Sequence, residues 1–166
     1  ADQATEFCRK KGLEKHNPVT YERLKEYEQK CIGIHGTVGI VALDKKGRIF
    51  AGTSTGGIGH EIPGRVSDSP TVAGTYASSK AGVSCTGIGE QITQQAVAAK
   101  IVTRVEDGMS LHEAVSKTLM ESNYFNYSFG LISLDANGQI EVGKTATLDE
   151  VFYAYHNGKR IKTFYN

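Results

Sequence analysis

No apolar stretch of this sequence is long enough to span a bilayer, and no basic run or acidic tail interrupts it. With 19 Lys and Arg against 18 Asp and Glu the formal net charge is +1, so neither nucleic acid nor a membrane surface is an expected partner. Cysteine is scarce as well. Cys8, Cys31 and Cys85 are odd in number and lack CxxC spacing, which argues against a disulfide framework or a zinc site. Free thiols in a reducing, cytoplasmic setting are the plainer expectation. The histidines, His16, His35, His60, His112 and His156, are scattered without an HxxxH pair, so no metal-ligand constellation is expected. An initiator methionine is also lacking. The chain therefore reads as an internal start, and any upstream targeting segment would lie outside it.

What is present fits a globular domain. The 166 residues, 39% hydrophobic and 22% charged, suffice for one domain with a core. Up to about residue 32 the chain is rich in Lys and Glu and reads as two short polar helices broken between Gly12 and Pro18, the second from Thr20 to Lys30. From Thr37 the character changes. Thr37 to Asp44 is a β-branched apolar strand, Lys45-Lys46-Gly47 a turn, and Arg48 to Thr53 the returning strand. Ser54 to Gly64 and the following residues to Pro70 read as loops. Lys80 to Thr86 is a further strand. A helix is expected from Glu90 to Arg104, with Ile92, Ala96, Ala99 and Val102 near one face. A second, from Ser110 to Glu121, opens on the capping box Ser110-Leu111-His112-Glu113. Two more hairpins turn at Ala136-Asn137-Gly138 and Asn157-Gly158. Antiparallel pairs with segregated helices predict an α+β layered fold.

Four places carry candidate chemistry. Thr37 opens its strand directly after Gly36. A threonine there is ordinarily structural. It gains a chemical role if the Gly36–Thr37 bond is cleaved, because an N-terminal threonine carries its own base. The α-amine, with a reference pKa of about 7.7–8.0, can take the hydroxyl proton near neutral pH. Gly36, lacking Cβ, tolerates strained backbone that brings the hydroxyl onto its carbonyl. The stretch Gly52-Thr53-Ser54-Thr55-Gly56-Gly57 reads either as a turn or as a hydroxyl supporting the nucleophile. Arg65 and Asp68, three residues apart, either read the carboxylate and ammonium of an amino acid or pair with each other on the surface. Thr86-Gly87-Ile88-Gly89-Glu90, between a strand and a helix, suits an oxyanion hole, a phosphate site or a tight turn.

Taken together, HGTVGIVALD (35–44), AGTSTGGIGHEIPGRVSDSP (51–70), GTYA (74–77) and VSCTGIGE (83–90) resemble the plant-type asparaginase and isoaspartyl aminopeptidase family, whose relatives include glycosylasparaginase and taspase. Weaker similarity continues to about residue 142. The resemblance implies an αββα sandwich of the N-terminal nucleophile hydrolase type, made by autocleavage into α and β subunits. Residues 1–36 would be the C-terminal end of the α subunit and 37–166 the catalytic β subunit. Thr37 would be the nucleophile freed by cleavage after Gly36, with Thr55 beside it. Arg65 would hold the substrate α-carboxylate. Asp68 and the Gly89 carbonyl would hold its α-amino group. The Thr86 hydroxyl and Gly87 amide would form the oxyanion hole. No cofactor or metal would take part in the chemistry. The implied partners are a small amino acid or dipeptide substrate, the remaining α-subunit segment with its share of the sheet, and a second αβ unit in an (αβ)2 heterotetramer.

The sequence also departs from the family. Ser67 stands where glycine is usual, the loop between Pro70 and Ser84 is slightly short, Tyr127-Ser128-Phe129-Gly130 replaces a glycine-rich stretch, and the tail from Gly143 to Lys159 matches poorly. These bear on substrate preference more than on chemistry. His35-Gly36-Thr37 favours L-asparagine or isoaspartyl dipeptides over glycosylated asparagine, because glycosylasparaginases usually have Asp before the threonine. Retention of Asp68 disfavours a taspase-like protease. The alternative from another class is a non-catalytic or unprocessed relative acting as a binding or structural domain.

Overall fold

The computed structural model describes residues 2–17, 19–28 and 36–165, so Cys31 and His35 lie outside the described residues. Helices α1 (Asp2–Lys10) and α2 (Tyr21–Glu28) lie on either side of the break expected at Gly12 to Pro18. Strands β1 (Thr37–Leu43) and β2 (Ile49–Thr55) then form an antiparallel hairpin, with Thr37 opposite Thr55 and Leu43 opposite Ile49. Asp44 closes the turn, its carboxylate accepting the Lys46 and Arg48 amides at 2.8 and 2.9 Å. β2 runs two residues past Thr53, into the expected loop, because β1 offers partners that far.

A four-stranded antiparallel sheet follows, ordered β3 (Thr75–Ala77), β4 (Ala81–Gly87), β5 (Phe129–Asp135) and β6 (Ile140–Lys144). β3 is not apparent in the sequence. With only three residues it has no period to read. In β4, Ala81 to Cys85 are all buried, so both faces of the strand are covered. Ala81, Val83 and Cys85 join Phe129 and Leu131 of β5 in the main core. Gly82 and Ser84 face the β1–β2 hairpin. A Cβ on Gly82 would come within 2.8 Å of Val41 and Ile49, and one on Gly39 would overlap Ser84 Oγ. Small residues at 39 and 82 let the two sheets meet face to face.

The helical side departs from the sequence reading in one respect. The expected helix from Glu90 to Arg104 is two helices, α3 (Gly89–Gln95) and α4 (Val97–Glu106), broken at Ala96 with φ +48°. A helix start leaves its first amides without intrahelical partners. Here the amides of Ala98 and Ala99 donate to the carbonyls of Ala73 and Val72, at 2.8 and 3.0 Å. The break therefore docks the turn before β3, at the cost of a left-handed alanine. It also rotates the buried face. Ile92, Val97, Ala98, Ile101 and Val102 are buried, whereas Ala96, expected on the apolar side, is exposed.

α5 (Leu111–Tyr124) begins as expected. Ser110 Oγ accepts from the Glu113 amide at 3.2 Å, and the Glu113 carboxylate accepts from the Ser110 amide at 3.0 Å. Such a cap contributes about 1 kcal/mol. Arg104 joins α4 to α5, bonding both Glu121 oxygens at 2.7 and 2.8 Å and Thr118 Oγ1 at 2.7 Å. The last hairpin, β7 (Phe152–His156) and β8 (Ile161–Tyr165), stacks Phe164 on Tyr153 and Tyr155.

The architecture is α+β, with helices on one face of the four-stranded sheet and the β1–β2 hairpin on the other. The outer face of that hairpin is apolar and open: Val38, Ile40 and Phe50 are 71, 63 and 53% exposed. Among the described residues no helix is long and apolar enough to cross a membrane.

Candidate active site

Pairing β1 with β2 in this register puts their hydroxyl-bearing ends together. Thr37, the first residue of β1, donates its hydroxyl to Thr55 Oγ1 at 3.3 Å, and Thr55 accepts the Gly57 amide at 3.1 Å. Thr53, two residues back, turns into the space between the sheets and bonds Ser84 Oγ at 2.6 Å and the Thr75 hydroxyl. Of the hydroxyls in the 52–57 stretch, Thr55 is therefore the one that meets Thr37.

The stagger of the facing strands bears on Thr86. Gly39 lies against Ser84 and Val41 against Gly82, so β1 and β4 run in opposite directions across the interface. Continuing that stagger by two residues brings the Thr37 end of β1 to the Thr86 end of β4. Gly87 follows, with φ +135°, and a Cβ there would lie 2.5 Å from Phe129 Cα and 2.6 Å from the Ser128 carbonyl. Both conformation and space require glycine. The helix after it, α3, is shorter than the sequence implies, because of the break at Ala96.

Arg65 and Asp68 sit in the loop before β3, and they do not form the mutual surface ion pair that their spacing allows. Arg65 is instead bound to Glu61 at 2.7 Å and to Glu90 of α3 at 2.8 Å. Its Nη2 also donates to Ser67 Oγ at 3.4 Å. Asp68 is only 4% exposed. One of its oxygens accepts the Ser67 hydroxyl at 2.9 Å, and the other, Oδ2, is a buried atom without a hydrogen-bond partner. Burial pushes the Asp68 carboxyl above its ordinary value, partly offset by the Ser67 hydrogen bond. A buried, half-satisfied carboxylate is costly unless a cation meets it, and an ammonium is such a cation.

The contacts among these residues run unbroken from Thr37 to Asp68. Thr37 meets Thr55, Thr55 meets Gly57, and the Glu61 carboxylate lies over Gly57. Glu61 meets Arg65, Arg65 meets Ser67 and Glu90, and Ser67 meets Asp68 beneath Gly89. Sequence reasoning missed Glu61 and Glu90 as the partners of Arg65. Glu61 stands four residues before it, a spacing that signals a pair on a helix but not in a glycine-rich loop. Glu90 is distant in sequence and carries no signal. Of the two described cysteines, only Cys85 is buried. Cys85 is 2% exposed and burial pushes its thiol far above its ordinary value, whereas Cys8 lies exposed on α1. Among the described residues, no cluster of His, Cys, Asp or Glu is placed to hold a metal ion.

Comparison with known proteins identifies the family. The family model described as Asparaginase matches residues 2–166. An isoaspartyl peptidase/L-asparaginase of Nostoc sp. is 41% identical, the match covering 95% of this chain and 56% of that protein. A protein of the same description from Synechocystis sp. is 42% identical over 95% of this chain and 53% of its own. A plant-type L-asparaginase of Pyrococcus horikoshii is 34% identical over 92% of this chain and 57% of its own. The chain thus spans about half the length of the curated relatives it matches. It belongs to the asparaginase family.

Proposed function

We propose that this chain carries the catalytic β subunit of an amidohydrolase that cleaves the β-amide of L-asparagine or of isoaspartyl dipeptides, using Thr37 as an N-terminal nucleophile. The observation that carries the reading is the Thr37–Thr55 hydroxyl pair at the open ends of β1 and β2, directly after Gly36. Maturation begins when the Thr37 hydroxyl attacks the Gly36 carbonyl. Hydrolysis of the resulting ester leaves Thr37 with a free α-amine. In turnover that amine takes the hydroxyl proton as Oγ attacks the substrate β-amide. Ammonia or an amino acid leaves, and water then hydrolyses the aspartyl ester to release aspartate. Arg65 holds the substrate α-carboxylate, Asp68 and the Gly89 carbonyl its α-amino group, and Thr86 with the Gly87 amide the oxyanion. The relatives described as isoaspartyl peptidase/L-asparaginase and plant-type L-asparaginase support this substrate class.

The same reading accounts for the open apolar face at Val38, Ile40 and Phe50. A patch of that kind is normally covered. The remaining α-subunit segment would cover it, completing the αββα sandwich, and two such αβ units would form the heterotetramer. Residues 1–36 are then the end of the α subunit and 37–166 the β subunit.

Mass spectrometry of purified, active protein tests the reading. Two fragments meeting at Gly36–Thr37, together with hydrolysis of asparagine or β-aspartyl dipeptides, are expected. One intact, inactive species would instead support a non-catalytic relative. The oxyanion assignment has its own test. Loss of one such donor typically costs about 10²–10³ in kcat. Thr86→Val should fall in that range with a modest change in KM, measured on matured protein. An unchanged kcat would remove Thr86 from the site.

A further inference from the structure

Position 67 is where the geometry says more than the family resemblance. The Ser67 hydroxyl lies between the two groups that flank it, accepting from Arg65 Nη2 at 3.4 Å and donating to Asp68 Oδ1 at 2.9 Å. It is also held from above. A Cβ on Gly89 would overlap Ser67 Oγ and come 2.6 Å from Asp68 Oδ1. On the other side, a Cβ on Gly74 would overlap Asp68 Oδ2. Asp68 is thus clamped between two glycines, with a single side-chain donor and one oxygen unpaired.

We propose that Ser67 is a positioning residue that couples Arg65 to Asp68 and holds the Asp68 carboxylate oriented and charged for the α-ammonium of the substrate. The inference rests on the asparaginase reading above and deepens it, because it names the residue that sets how tightly the amino-acid head is held. The donor to Oδ1 fixes the carboxylate with Oδ1 on the Gly89 side and Oδ2 buried against Gly74. Without the hydroxyl, the buried carboxylate has no side-chain donor among the described residues. The backbone hydrogen bonds at Asp68 and Ser69 remain, but loss of the hydroxyl disfavours the charged form and so weakens its attraction for an ammonium.

The groups around Asp68 allow this to be read by pH. Arg65, in the same loop, stays charged, with its cation held by Glu90 and Glu61. Cys85, on β4, stays neutral because burial pushes its thiol up. Glu90 of α3 is held below its ordinary value, chiefly by its own backbone amide and then by Arg65, so it titrates at lower pH. Asp68 itself is displaced upward, and its largest downward contribution is the Ser67 hydrogen bond. Removing that bond moves Asp68 further up, so the acid limb of 1/KM moves to higher pH, whereas kcat follows the Thr37 amine.

The test is steady-state kinetics of Ser67→Ala in the complete, matured protein, with asparagine as substrate across the acid range. Hydrogen bonds to charged groups are the strong ones, so KM should rise about tenfold or more while kcat stays within about twofold. The acid limb should move up. A KM and limb both unchanged, or a loss confined to kcat, would overturn the proposal. Ser67→Gly is read in the same way if the alanine variant fails to mature, and failure of both to mature would mark the hydroxyl as structural. A wild type that turns over neither asparagine nor an isoaspartyl dipeptide overturns the asparaginase reading itself, and the Ser67 role with it.

Discussion

Thr37→Ala should yield a single uncleaved chain with no measurable hydrolysis of asparagine, whereas Thr37→Ser should retain part of both activities. One hydroxyl is asked to act twice, first on the Gly36 carbonyl and then on the substrate amide. Alanine removes it from both steps, and serine keeps the oxygen while losing the methyl group. Within the structure, Thr37 Oγ1 has Thr55 Oγ1 at 3.3 Å as its hydrogen-bond partner, at the exposed end of the hairpin. Losing that bond from the end of a two-stranded ladder should barely affect the fold. A large loss of turnover without a comparable loss of melting temperature therefore separates chemistry from structure. Gel analysis of processing, read beside ammonia release, checks both halves. Near-wild-type turnover by the alanine variant would rule out this nucleophile.

Asp68→Ala should lose most kcat/KM for asparagine. Truncating one partner of a buried, charge-assisted contact costs on the order of 2–5 kcal/mol, which is about 30-fold to several-thousand-fold. The loss should be far smaller for an N-acetylated analogue, which the wild type should already reject because it offers no ammonium. The surface-pair alternative, worth about 0–1 kcal/mol, predicts a small equal loss on both substrates. It also requires Arg65 and Asp68 to meet, and the structure sends Arg65 to Glu61 and Glu90 instead.

Stability provides a second readout for Asp68. Burial raises its carboxyl above the ordinary value in the folded state. For a group shifted that way, stability is greatest below the unfolded pKa and declines as pH rises through the folded one. At neutral pH the ionised Asp68 therefore costs stability. Asp68→Asn, which preserves shape without charge, should melt no lower than wild type at pH 7 while losing activity. A clear fall in melting temperature would mean that Asp68 is there to support the fold.

Much of the scaffold was legible locally. The Ser110–Glu113 box is a contact between neighbours, so four residues sufficed to predict the start of α5. The first hairpin followed from a β-branched apolar run before the turn at Lys45-Lys46-Gly47, and the last from Asn157-Gly158. β3 was not legible, since three residues gain their strand pairing from β4 alone. Nor was the break at Ala96. Val97-Ala98-Ala99 has good helical character, and only the Val72 and Ala73 carbonyls, more than twenty residues upstream, make the left-handed turn worthwhile.

The same division holds at the candidate site. By itself the sequence determined which groups are present and in what order: a Gly-Thr pair opening a strand, hydroxyls at the end of its partner, opposite charges in one loop, and Thr-Gly ahead of a helix. Those are properties of residue type and short spacing, which covalent geometry carries over into the fold. Only the tertiary structure decided which hydroxyl faces Thr37, that Arg65 turns to Glu61 and Glu90, and that Asp68 is buried with one oxygen unpaired. Those outcomes depend on how closely two sheets approach across Gly39 and Gly82, and on what Gly74 and Gly89 leave open around a carboxylate. Distance and desolvation between segments far apart in the chain set them, and no local pattern records either quantity.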